Sequence, residues 1–218
     1  EAREEAGGGR SALVGSLAGA ATYPSIVGPR ADYQQLVSTI AHEWVHHYLA
    51  FRPLGRRYYD SLELRTLNET VADSAGEELA ALLVERYPLS SDAAGQLAEA
   101  APQAGDVEAG AILRQLRLDV EELLDVGEVD AAEALMERRR LELAERGVVY
   151  RKINQAFFAA IAIYADDPAS IDPIGAKLQE LRDQSGSVGA FLRTASGLTS
   201  GAGLDALIEA SAGGTARR

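Results

Sequence analysis

The chain has 218 residues, 21 of them basic and 33 acidic, for a formal net charge of −12 and an isoelectric point near 4.7. Acid in such excess argues against nonspecific nucleic-acid binding, which rests on neutralising phosphates with Lys and Arg. The absence of cysteine excludes disulfides, thiolate metal sites, iron–sulfur clusters and a cysteine nucleophile. Hydrophobic residues at 47% and charged residues at 25% are ordinary for a globular protein of one domain or two small ones.

The chain opens Glu1-Ala2-Arg3-Glu4 without Met, as a processed piece of a longer protein would, and an extracytoplasmic or membrane-anchored parent is compatible with that start. Ser11 to Val27 is mildly apolar but broken by Gly15, Gly19 and Pro24. It falls short of the ~20 apolar residues of a spanning helix and lacks the pattern of a signal peptide. Loop with one or two short strands is expected there. After Val27-Gly28-Pro29, Asp32 is a plausible N-cap. Leu36, Val37, Ile40, Val45 and Leu49 then keep helical spacing, with Trp44 and Val45 expected in the core, until Arg52-Pro53-Leu54-Gly55. A second helix opens at Asp60 or Ser61 and stops at Pro88.

Ser91 to Ala100 reads as a short alanine-rich helix. Asp106 to Asp125 carries an apolar stripe, Gly127 marks a turn, and Glu128 to Arg146 is a further helix ended by Gly147. Its Arg138–Arg140 run reads as a solvated face. Val148 to Tyr164 is apolar nearly all round and is expected to be one core helix, with Arg151 and Asn154 on one face. Shorter helices follow over Pro173 to Arg182, Val188 to Arg193 and Leu204 to Ala210. The expected architecture is mainly α, with a minor N-terminal β element and a C-terminal helical bundle. The weak break at Pro102–Gly105 divides it into residues 1–104, which carry the candidate site, and 105–212, a helical region forming the other wall of a cleft. Residues 213–218 are expected to be a disordered tail.

All three histidines fall in His42-Glu43-Trp44-Val45-His46-His47. Residues four apart share a helix face, so His42 and His46 can reach one zinc ion. Glu43 lies about 100° round the helix, where its carboxylate can act on a water beside the metal. His47 points away from His46 and suits a surface or supporting role. Glu43-x-x-His46 is also half of a di-iron motif, but that site needs a second such pair and the sequence has none.

The next helix contains Asn68-Glu69-Thr70-Val71-Ala72-Asp73. Together with His42-Glu43-x-x-His46, this resembles the gluzincin metallopeptidases, the group that includes thermolysin and neprilysin, and it covers His42 to Asp73. The resemblance implies a zincin-like pair of active-site helices. Glu69 would be the third zinc ligand and Glu43 the general base, while Asp73 would accept a hydrogen bond from the outer nitrogen of His42. It also implies a peptide or protein substrate.

Thermolysin- and neprilysin-like enzymes use a downstream His to stabilise the oxyanion, and here none follows His47. A Tyr or Arg must take that role, the candidates being Tyr58, Tyr59, Tyr150, Arg151 and Tyr164. Glu77 or Glu78 could hold a substrate amino terminus. The alternative reading is a catalytically inactive zincin-like protein that binds a peptide or partner. A helical scaffold without metal accounts for the C-terminal half but poorly for the His/Glu pattern.

Overall fold

The computed structural model describes residues 11, 19–27, 33–88 and 105–215. Nine α-helices and one two-stranded antiparallel sheet form among these residues, so the fold is mainly helical with a minor N-terminal β element. None of the described helices is long and apolar enough to cross a membrane. The expected helix at Ser91–Ala100, the Asp32 cap and residues 216–218 lie outside the described residues. The chain divides into two compact units.

The first unit holds described residues 19–88, 163–166 and 172–215. Strands β1 (Gly19–Ala20) and β2 (Ile26–Val27) pair with Gly19 opposite Val27. Helix α1 (Tyr33–Leu49) is followed by the single turn α2 (Pro53–Arg56) and the long helix α3 (Leu62–Arg86). α3 starts where Ser61 accepts a hydrogen bond from the Leu64 amide at 3.1 Å and ends just before Pro88. It returns antiparallel to α1, because Tyr33 reaches the Tyr87 carbonyl at one end while His46 meets Asn68 at the other.

The middle of α3 is enclosed on every side: each residue from Thr66 to Ala72 is buried. α1 covers one flank through Val45 and Leu49. Helices α7 (Pro173–Asp183) and α8 (Val188–Ala195) supply Leu178, Leu181, Phe191 and Leu192 to the same core, and Leu204 of α9 (Gly201–Thr215) joins them. Burying several such side chains at ~1.5–3 kcal/mol each holds the helices together. Polar ties fix their register. Arg182 grips Glu78 through two hydrogen bonds of 2.6 Å, and the Leu54 amide donates to the Ser196 carbonyl. The segment 163–166 is pinned by the buried Thr70 hydroxyl, which accepts from the Ala165 amide at 2.9 Å.

The second unit holds described residues 11, 105–162 and 167–171. Helices α4 (Gly105–Asp125) and α5 (Val129–Glu145) form a hairpin around Leu113, Leu116, Val120, Met136 and Leu143. Gly127, at φ +80°, makes the turn a residue with a side chain would strain.

Several expectations are corrected. Val148–Tyr164 is not one helix. The chain stays non-helical through Ile153, Asn154 caps α6 (Gln155–Ile161) by accepting from the Phe157 amide at 2.9 Å, and Arg151 therefore shares no helix face with Asn154. Trp44 is exposed and stacks on Tyr48, because the buried face of α1 runs through Ala41, Val45 and Leu49. The region 105–212 is not one body, since the apolar faces of α7 and α8 pack with α1 and α3. Residues 213–215 continue α9 rather than beginning a tail.

Candidate metal centre

α1 presents His42 and His46 one turn apart towards α3, and α3 answers with Asn68, Glu69 and Asp73. The helices can come this close because residue 76 is glycine. A Cβ on Gly76 would stand 2.9 Å from the His42 backbone nitrogen and 3.0 Å from its Cα. Any side chain there would push the two helices apart at this turn.

Three atoms converge in the gap between the helices. The Nε2 atoms of His42 and His46 are 3.0 Å apart, and Glu69 Oε2 lies 3.5 Å from the first and 3.4 Å from the second. The outer nitrogens are engaged elsewhere. His42 Nδ1 faces Asp73 Oδ1 at 3.2 Å, and His46 Nδ1 faces Asn68 Oδ1 at 2.9 Å. Both partners are acceptors, so each Nδ1 donates to its partner, and a neutral imidazole in this orientation would turn its Nε2 lone pair towards the other ring and a carboxylate oxygen. Three electron-rich atoms in one part-buried space require a positive charge among them, a proton or a metal ion. His42, His46 and Glu69 form a group that could hold a metal ion.

The charges show the same strain in the metal-free chain. Burial disfavours a charge on His42, but hydrogen bonds to Asp73 and Glu69 outweigh it and raise the imidazole to about 9. Burial likewise disfavours the Glu69 carboxylate, yet hydrogen bonds from His42, His46 and Tyr58 hold it far below the usual carboxylate range. Glu43 is buried, and this burial pushes its carboxyl up against the opposing pull of His42 and His46. Its carboxylate lies against β1, where a methyl group added to Gly19 would overlap it.

Two tyrosines stand beside the cluster. Tyr58, on the turn before α3, sets its ring edge-on to His46 at 6.3 Å and donates its hydroxyl to Glu69 Oε1. Burial, with the Glu69 carboxylate beside it, moves this phenol up to about 12. Tyr164 places its ring 6.3 Å from that of His42, on the segment pinned by Thr70. Burial, followed by the charges of Glu69 and Asp73, keeps its phenol well above its ordinary value.

Other residues singled out in the sequence have contacts of their own. Tyr59 is 91% exposed. Tyr150 and Arg151 belong to the second unit, where the Tyr150 ring meets Phe157 edge-on at 5.3 Å. Glu78 is engaged by Arg182, and Glu77 is exposed. His47 meets Ser25 Oγ at 3.0 Å, tying α1 to the residue before β2.

Sequence reasoning assigned no role to Asn68 or Gly76. A signal existed for each: an Asn beside a buried helical Glu needs a partner, and a glycine inside a helix costs about 1 kcal/mol relative to Ala unless close approach demands it. Comparison of the chain with protein-family models, with curated proteins and with solved structures gives no significant match.

Proposed function

We propose that the protein is a zinc-dependent peptidase of the gluzincin type, with His42, His46 and Glu69 as the metal ligands. The observation that carries this reading is the convergence of two imidazole Nε2 atoms and one carboxylate oxygen, with both imidazoles oriented from behind by Asp73 and Asn68. The spacing suits zinc. Ligands held at ~2.0–2.1 Å in a tetrahedron are roughly 3.3–3.4 Å apart, and the three separations here are 3.0, 3.5 and 3.4 Å. Nitrogen and oxygen donors without sulfur are compatible with a catalytic zinc site of the two-His, one-Glu kind.

A zinc ion bound there would supply Lewis-acid polarisation of a peptide carbonyl and of a water. The chain's own groups do the rest. Glu43, buried beside the two imidazoles and raised by that burial from its ordinary value, takes a proton from the attacking water and returns it to the leaving amine nitrogen. Tyr164, kept protonated by its surroundings, is the donor available to the carbonyl oxygen as that oxygen gains negative charge, the work a downstream His performs in thermolysin-like enzymes. Tyr58 is excluded from that task because its proton is committed to Glu69.

The test pairs wild type with Glu43→Gln. Both should bind one zinc per chain, and only wild type should cleave a broad peptide library. Activity retained by Glu43→Gln would refute the mechanism. Zinc binding without cleavage by either form would replace the peptidase with a zincin-like protein that binds a peptide or partner.

A further inference from the structure

The carboxylate of Glu69 has two oxygens, and Oε2 is the one that pairs with the imidazoles. Oε1 is occupied by the Tyr58 hydroxyl. That hydroxyl in turn accepts a hydrogen bond from Arg65 Nε at 3.2 Å, and the Arg65 guanidinium lies over the Tyr58 ring, 5.5 Å from its centre. Arg65 and Glu69 are four residues apart and share one face of α3. Tyr58 precedes the Ser61 cap, so its side chain runs along that face and its hydroxyl sits between the two.

We infer that Tyr58 is a positioning residue for the metal centre: it occupies Oε1 so that Glu69 meets a metal ion through Oε2 alone. This rests on the metal-binding reading above and adds a determinant of coordination number to it. A carboxylate free at both oxygens can rotate and chelate a metal with both, filling a position that water or substrate needs. The Arg65–Tyr58–Glu69 chain blocks that rotation. Arg65 also orients the phenol, which could otherwise swing towards solvent. Removing either member should therefore change how the metal is held as well as how tightly.

The experiment uses the full chain stripped of metal and titrated with Co²⁺, whose visible bands are strong in four-coordinate sites and weaken as the coordination number rises. Wild type should take up one Co²⁺ with strong bands. Tyr58→Phe keeps the ring and loses the donor. It should bind Co²⁺ about ten- to a hundredfold more weakly, as loss of a supporting hydrogen bond around a metal generally does, and with weakened bands. Arg65→Met keeps the Tyr58 hydroxyl and should show a smaller shift of both kinds. Circular dichroism checks that each variant is folded. Should Tyr58→Phe fail to fold, Arg65→Met decides alone.

Variants that match wild type in affinity and spectrum would overturn the role of Tyr58 while leaving the metal centre standing. Weakened affinity with an unchanged spectrum would reduce Tyr58 to a packing residue and also overturn it. No Co²⁺ uptake by wild type would overturn the metal reading itself.

Discussion

Gly76→Ala separates the packing of the two site helices from their chemistry. The added Cβ would stand 2.9 to 3.2 Å from the backbone nitrogen, Cα and Cβ of His42. Relaxed contacts between carbon atoms need about 3.5–4.0 Å, so α1 and α3 must move apart by roughly half an ångström or more at this turn. No side-chain rotation relieves the clash, because the atoms struck belong mainly to backbone. Two stability effects oppose each other. Overpacking costs about 1–3 kcal/mol, and replacing a helical glycine by alanine returns about 1 kcal/mol. The metal-free variant should be destabilised by about 0–2 kcal/mol in urea unfolding. Metal binding should suffer more, because His42 Nε2 and Glu69 Oε2, now 3.5 Å apart, lie on the two elements being separated. Ligand distances tolerate only about ±0.2 Å. Zinc affinity measured by chelator competition should fall at least tenfold. A variant about 1 kcal/mol more stable than wild type with unchanged affinity would show that Gly76 is an ordinary helical glycine and that the close approach decides nothing.

Other consequences follow from the same geometry. In the metal-free chain the His42 imidazole is raised to about 9 from an unfolded value of 6.5, so its contribution to stability is fully present below pH 6.5 and is lost as the pH rises through 9. Urea titrations without metal should show that decline, and zinc uptake at pH 7 should release protons that calorimetry in buffers of different ionisation enthalpy can count; stability rising across pH 7–9 would contradict the hydrogen bonds to Asp73 and Glu69. Asn68→Ala removes the acceptor behind His46 and should weaken zinc about ten- to a hundredfold, read by chelator competition. Tyr164→Phe should leave zinc affinity intact and lower kcat by about 10²–10³-fold, the loss expected for one oxyanion donor; an unchanged kcat would remove Tyr164 from the reaction.

The parts of this molecule that local sequence dictates could be read directly. Four-residue spacing set His42 beside His46, and Ser61 and Pro88 bracketed α3. Glu69 and Asp73 came from the resemblance, and both face the imidazoles. What escaped depends on the register between helices. Asn68 gains its role only when α3 lies antiparallel to α1 at one offset, and Gly76 only when the gap is small. Tyr58 looked like a possible oxyanion donor because nothing in the sequence shows that Glu69 already takes its proton. The misreading of Val148–Tyr164 has another cause. Apolar composition all round says that a segment is buried, but not that it is one helix, and the Asn154 cap divides it. Trp44 kept helical spacing with the apolar set yet faces outward, where Tyr48 stacks on it and Arg52 lies over the Tyr48 ring.

Anomalous diffraction recorded above and below the zinc absorption edge, on crystals of the zinc-loaded protein, would place the metal directly. One peak per chain should lie between the Nε2 atoms of His42 and His46 and Oε2 of Glu69, at ~2.0–2.1 Å from each, with Glu69 Oε1 still on the Tyr58 hydroxyl. No peak at these three atoms, or a peak held by other side chains, would contradict the metal centre and the peptidase built upon it.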